Sequence, residues 1–149
     1  MPKYHSSCAE DTRKAGRRLV RENPEGSIIC LYGPLAAGKT TLVKGMAEGL
    51  GIEEPIVSPS YVLMREYEGE IPLFHLDLFR INSGDEFIEA GLEEYLLVEK
   101  GFTAIEWAGR INDILPEERL EVKFELRGED ERGIEVTRTE GEPRDGSDN

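Results

Sequence analysis

Eight consecutive residues constrain this chain more than any others. Gly33-Pro34-Leu35-Ala36-Ala37-Gly38-Lys39-Thr40 fits the pattern G-x-x-x-x-G-K-[ST] at every fixed position. An apolar run, Ile28-Ile29-Cys30-Leu31-Tyr32, precedes it. A helical pattern that includes Leu42, Val43, Met46, Ala47 and Leu50 follows. Strand, glycine-rich turn and helix is the context in which this motif cradles phosphate. Backbone N–H groups of the loop and the helix start face the anion, and the helix dipole adds positive potential there. Lys39 supplies a point charge for the β- and γ-phosphates, and the Thr40 hydroxyl is placed to hold Mg²⁺. The first-choice ligand is therefore a nucleoside triphosphate.

The surrounding pattern predicts an α/β fold. Ser7-Cys8-Ala9-Glu10 reads as a capping box, with Ser7 at the N-cap. Cys8, Thr12, Ala15, Gly16 and Leu19 then recur at helical spacing until Asn23-Pro24-Glu25-Gly26. After the loop helix, 52–59 reads as a connector. Strands are predicted over 61–67 and 71–79, joined tightly enough to be an antiparallel hairpin. Ser83 caps a helix whose apolar side is Phe87, Ile88, Leu92, Tyr95 and Leu96, with Gly91 as a break. A buried strand, 102–105, runs into Glu106-Trp107, and a short helix over 108–115 stops at Pro116. Residues 120–126 and 134–139 alternate apolar with polar as a terminal hairpin. The sheet is thus expected to be parallel around the loop and antiparallel elsewhere, with helices on both faces. The ligand belongs at the carboxyl ends of the parallel strands. One domain is expected over 1–139, and 140–149, nearly without apolar residues, reads as a disordered tail.

Charge and cysteines narrow the partners. Residues 1–44 carry eight Lys/Arg against four Asp/Glu, while the rest carry ten against twenty-seven, within a total of −13. An acidic body argues against nonspecific coating of nucleic acid. The basic stretch Arg13, Lys14, Arg17, Arg18 and Arg21 reads first as the solvated face of a helix. Cys8 and Cys30 form neither a disulfide framework nor a metal cluster. No apolar run approaches the roughly 18 residues of a membrane span, and the N-terminus shows no export signal. A cytoplasmic setting without membrane contact is expected.

A triphosphate site also needs carboxylates to hold Mg²⁺ or its waters, typically at strand ends. Asp77, in Phe74-His75-Leu76-Asp77-Leu78-Phe79-Arg80, and Glu106, after Phe102-Thr103-Ala104-Ile105, are the candidates. Each sits among apolar neighbours, where an ionised group is costly without a partner. The competing structural readings are a surface-facing strand residue for Asp77 and a helix N-terminal carboxylate for Glu106. Trp107 either stacks on a base, plugs into a partner or packs in the core. His75 shares a strand face with Asp77 and either orders it, touches phosphate or is a satisfied core histidine. Ser58 and Ser60, flanking Pro59, either close over the γ-phosphate or serve a turn.

Taken together, Gly33–Thr41, Ser58-Pro59-Ser60-Tyr61, His75-Leu76-Asp77-Leu78-Phe79-Arg80, Gly91-Leu92-Glu93-Glu94-Tyr95-Leu96 and Ile105-Glu106-Trp107 resemble the TsaE family in order and spacing. The resemblance runs from about Ser6 to Val136. The loop is generic to many NTPases, whereas the pairing of H-x-D-x-[YF]-R with E-W is far more specific. It implies a P-loop NTPase-like three-layer α/β/α sandwich with a mixed sheet. It also implies a small Mg-dependent ATPase of the bacterial machinery that makes threonylcarbamoyladenosine in tRNA. Such proteins bind the TsaD–TsaB pair and hydrolyse ATP there, so tRNA is met indirectly. Residue by residue, it implies Lys39 as phosphate ligand, Thr40 as metal ligand, and Asp77 and Glu106 as acids of metal organisation and hydrolysis. Nucleotide contacts are implied for loop positions Gly33, Pro34, Leu35, Ala36, Ala37, Gly38 and Thr41. They are also implied for Trp107, for Thr12 near the base, and for Arg132. Ser58 and Ser60 fall in a switch-like segment. The chain departs from the family at Pro34 (often aspartate), Ala36 (often glycine) and Ser60 (usually threonine), without losing a catalytic group.

Other readings of the same residues are a small-molecule kinase and a clamp that binds ATP without hydrolysing it. A GTPase is disfavoured: no N-K-x-D guanine reader is present, and Asp77-Leu78-Phe79-Arg80 is not D-x-x-G. The residues alone do not choose between Asp77 and Glu106 as the group that orients water.

Overall fold

A computed structural model describes residues 3–34, 37–59, 61–129 and 131–139. The loop residues Leu35 and Ala36, Ser60 in the connector, and the tail 140–149 lie outside the described residues. Seven strands form one sheet: β1 (Lys3–Ser6), β2 (Ile28–Tyr32), β3 (Met64–Tyr67), β4 (Leu73–Asp77), β5 (Phe102–Glu106), β6 (Arg119–Leu126) and β7 (Arg132–Thr139). Their spatial order is β1-β7-β6-β2-β5-β4-β3. The four central strands β6, β2, β5 and β4 run parallel. Antiparallel pairs flank them, β3 on β4 at one side and the β6–β7 hairpin with β1 at the other. This is the expected mixed sheet, with one strand more than the pattern revealed: β1 is too short and too exposed to alternate.

Three helices, α1 (Ala9–Glu22), α2 (Lys39–Gly49) and α3 (Gly84–Glu89), and two 3₁₀ turns, Glu93–Leu96 and Ala108–Ile111, complete the layers. On one face Leu19, Leu42, Val43 and Met46 of α1 and α2 pack on Ile29, Leu31, Leu73 and Ala104. On the other, Phe87, Leu92, Leu96 and Ile111 pack on Ile28, Cys30, Leu76 and Ile105. The inner strands β2, β4 and β5 are therefore buried on both sides, as strands covered by helices must be, whereas β6 buries only Leu120, Val122 and Phe124 on the first face. Cys30 lies within this core, and burial pushes its thiol up to about 12, so it is an inert packing group. Among the described residues no helix is long and apolar enough to cross a membrane.

Four local expectations shift. The first helix is capped at Cys8 rather than Ser7, and no side chain makes the cap bond. Asp11 instead accepts from the Ser7 backbone N–H at 3.0 Å and the Ser7 hydroxyl at 3.1 Å. Glu10 is drawn away to Arg13 and Arg17, at 2.7 and 2.8 Å. Those arginines also pair with Glu48 of α2, and Arg18 pairs with Glu22, so much of the basic stretch is occupied within the fold. Second, the strand expected from 61 begins only at Met64. Val62 and Leu63 N–H groups both donate to the Pro59 carbonyl, and Leu63 sits at φ 72°, so this stretch is a turn. Third, the strand expected over 71–79 is confined to Leu73–Asp77. Fourth, the helix expected over 108–115 is a single 3₁₀ turn entered through Trp107 at φ 61°. The Ser83 cap is as expected, its side chain accepting from the Glu86 N–H.

Helices α1 and α2 approach backbone to backbone, which fixes the loop at the start of α2. A Cβ on Gly45 would collide with the Arg13 carbonyl, and one on Gly16 with the Leu42 carbonyl. Gly45→Ala should destabilise the fold by about 2–3 kcal/mol, as overpacking does, read as a loss of roughly 4–12 °C in melting temperature. Gly109→Ala, whose added Cβ would meet nothing nearer than Tyr32 at 4.0 Å, should change stability by less than about 0.5 kcal/mol. Equal effects of the two substitutions would contradict this packing.

Candidate nucleotide site

Three adjacent parallel strands end together, and each delivers a chemical group. β2 opens into the loop at Gly33, β5 ends on Glu106, and β4 ends on Asp77. In the register of β4 and β5, Asp77 lies directly beside Glu106. The loop closes with Gly38 at φ 106°, a left-handed conformation open to glycine at little cost. From there α2 begins with Lys39 and Thr40, so its first turn points at the two carboxylates.

The Thr40 hydroxyl donates to Glu106 Oε2 at 3.0 Å, a contact spanning 66 residues of sequence. His75 Nε2 lies 2.7 Å from the same oxygen. Lys39 Nζ donates to the Gly33 carbonyl at 2.8 Å and sits 4.2 Å from the centre of the Trp107 ring. Asp77 Oδ1 accepts from the Phe79 N–H at 3.0 Å, and the Ser58 hydroxyl donates to Asp77 Oδ2 at 3.4 Å. Lys39, Asp77 and Glu106 are each at most 5% exposed. They are buried charges that face one another, the arrangement that makes such burial tolerable.

The electrostatics follow from that arrangement. Burial alone would raise the Glu106 carboxyl, but the hydrogen bond to His75, the Thr40 hydroxyl and the Lys39 charge outweigh it and hold the group below the usual carboxylate value. Burial lowers Lys39 below its ordinary value, against the pull of Glu106 and Asp77. Glu106 is thus kept ionised, and Lys39 is a buried ammonium that faces two carboxylates.

Lys39, Thr40, Asp77 and Glu106 line one cleft of about 480 Å³, together with Gly38, Thr41, Ser58, Tyr61, Phe79, Arg80 and Trp107. A cavity of this size is ordinary for a small-molecule ligand. Trp107 is no core aromatic. It is half-buried at the cleft wall, with Phe79 at 5.2 Å and the Arg110 guanidinium at 5.5 Å. Ser58 is brought to the site by its neighbour, since the Val57 N–H donates to the Tyr67 hydroxyl at 3.0 Å and anchors the connector on β3.

Other expected contacts sit further back. Thr12 is buried beneath the loop, its hydroxyl 2.7 Å from that of Ser6, and it does not line the cleft. Arg132 donates to the Ala37 carbonyl at 3.2 Å, so it braces the loop backbone. Ala37 is fully buried, and its N–H donates to the Pro34 carbonyl at 3.2 Å. His75 contacts Glu106 rather than Asp77 in this structure. Arg80, Tyr61 and Phe79 had no assigned role from sequence. The Arg80 guanidinium stacks 4.5 Å from the Tyr61 ring at the mouth of the cleft. The one available signal was that exposed aromatics flank both short motifs.

A metal could be held here only with help. Among the described residues no group of three or more His, Cys, Asp or Glu could form a metal cage. The oxygen donors of Thr40, Glu106 and Asp77 beside a phosphate loop fit Mg²⁺, which keeps waters and takes one or two carboxylates plus substrate phosphates.

Comparison with known proteins agrees with this geometry. The family model described as "Threonylcarbamoyl adenosine biosynthesis protein TsaE" matches residues 6–134. A protein of Treponema pallidum (strain Nichols) named tRNA threonylcarbamoyladenosine biosynthesis protein TsaE is 39% identical over 131 residues, covering 88% of this chain and 96% of its own. The protein of that name from Bacillus subtilis (strain 168) is 38% identical over 136 residues, covering 91% and 84%. The crystal structure of YdiB from Bacillus subtilis superposes with a TM-score of 0.74 at 32% identity, over 94% of this chain and 86% of that one. With the loop, the paired strand-end acids and the mixed sheet all in place, the chain belongs to the TsaE family.

Proposed function

We propose that the chain is a Mg-dependent ATPase that serves threonylcarbamoyladenosine modification of tRNA by acting on the TsaD–TsaB pair. The observation that carries this reading is the Thr40–Glu106 contact at 3.0 Å. It brings the loop hydroxyl and a strand-end carboxylate to one point, where a magnesium-bound triphosphate would need both. Family membership supports the process, since the relatives are named for it.

The chemistry is in-line attack of water on the γ-phosphate. Thr40 and the two acids would hold a magnesium ion, which would supply positive charge to the phosphate oxygens. Lys39 exchanges its Gly33 carbonyl for phosphate, and its buried charge then stabilises the developing negative charge. Loop N–H groups and the α2 dipole orient the anion. Glu106, tied to Thr40, is the acid on the metal side. Asp77, beside it and linked to Ser58, is the acid nearer the connector and the better placed to orient water. Trp107 covers Lys39 and limits solvent at the phosphate end.

Lys39→Ala should abolish measurable ATP binding by calorimetry. Glu106→Ala should keep ATP bound and lower turnover by about 10²-fold or more. A Glu106→Ala variant that still supported full tRNA modification would favour an ATP-dependent clamp. Phosphate appearing on a metabolite instead of free in solution would favour a kinase.

The purified chain should hydrolyse ATP slowly. A partner arginine is worth roughly 10³–10⁵ in rate in other NTPases, so TsaD–TsaB should accelerate it. Phosphate release measured with and without the pair decides the point, and equal rates would contradict a partner-completed site.

A further inference from the structure

We infer that His75 is a positioning residue for Glu106, acting through its Nε2–H to hold the carboxylate in the orientation that receives the metal. This rests on the ATPase reading above and goes beyond it, since nothing so far separates His75 from an ordinary core histidine.

Register makes the contact possible. His75 pairs with Ala104 across β4 and β5, two residues before Glu106. It faces α2, as Leu73 and Ala104 do. Residues two apart along neighbouring strands share one face of the sheet, so a long side chain at 75 can reach the one at 106. The alanine leaves the space beside it for an imidazole, and Nε2 reaches Glu106 Oε2 at 2.7 Å.

The other ring nitrogen identifies the proton's place. His75 is fully buried, and among the described residues Nδ1 has no hydrogen-bond partner. A proton on Nδ1 would be a buried, orphaned donor, which is costly. The Nε2–H tautomer leaves only a lone pair there and supplies the donor that an ionised Glu106 accepts. Thr40 also donates to Oε2. Both bonds therefore end on one oxygen, and Oε1 keeps no protein donor among the described residues. With Thr40 ligating a metal, His75 would be the remaining donor that fixes the carboxylate rotation. Partners of this kind, behind a ligating group, commonly change metal affinity or activity by about 10–100-fold when removed.

The test is calorimetric binding of adenylyl imidodiphosphate, with Mg²⁺ and with EDTA, to the full chain and three variants of checked melting temperature. His75→Leu removes the donor. His75→Gln places an amide N–H at the reach of Nε2. His75→Asn is polar but too short. In the wild type, Mg²⁺ should tighten binding. His75→Leu and His75→Asn should lose about 10-fold or more of that gain, with binding in EDTA unchanged within about twofold. His75→Gln should restore most of it. If His75→Leu fails to fold, the contrast of Gln with Asn decides alone. A full Mg²⁺ gain in His75→Asn, or no difference between Gln and Asn, overturns the assignment. A wild type that binds the analogue equally with and without Mg²⁺, or not at all, would instead overturn the Mg–ATP reading beneath it.

Discussion

An ionised carboxylate 5% exposed at the end of a central strand is the constraint on which the site depends. Glu106 cannot sit there alone, because desolvating a charge without partners costs several kcal/mol. The fold answers with a hydroxyl, an imidazole and an ammonium drawn from two other elements, α2 and β4. Removing any of them leaves the others worse satisfied. The strand, the loop and the histidine therefore behave as one unit, and the phosphate loop is tied to the centre of the sheet instead of standing free on its edge.

The architecture around Glu106 serves that unit. Parallel β2, β5 and β4 bring their carboxyl ends to one line. The close approach of α1 to α2 at Gly16 and Gly45 holds the loop helix against the sheet. Arg132, from the far hairpin, donates to the loop carbonyl of Ala37, so even the antiparallel edge supports the loop backbone. The exposed side chains Tyr61, Phe79 and Arg80 sit instead at the cleft mouth.

The parts of this legible in sequence were those with local chemistry. The loop motif, the Ser83 cap, the buried strand 102–105 and the terminal hairpin each follow from periodicity or a fixed spacing, and each is present. Asp77 and Glu106 were recognisable because carboxylates inside apolar runs demand an explanation. What stayed hidden depends on register. That His75 meets Glu106 and not Asp77 follows from the one-to-one pairing of β4 with β5, which no local pattern encodes. At the start of α1, Ser7 bonds Asp11 and Glu10 pairs with Arg13 and Arg17, so the capping-box contacts read from the sequence are replaced by others. The strand expected at 61 fails because Pro59 accepts two backbone bonds and turns the chain first. β1 is invisible in sequence because its pairing partner, β7, lies more than a hundred residues away.

The central claim is that Lys39, under Trp107, is the phosphate-binding group of this cleft. Trp107 is the chain's single tryptophan, and the Lys39 ammonium lies 4.2 Å from its ring. The most direct measurement is a titration of intrinsic tryptophan emission with Mg–ATP. Moving the ammonium from the indole to phosphate should give a saturable change in intensity or wavelength, absent in Lys39→Ala. An emission spectrum that stays constant as Mg–ATP rises to millimolar concentration, or one that changes equally in Lys39→Ala, would contradict the account.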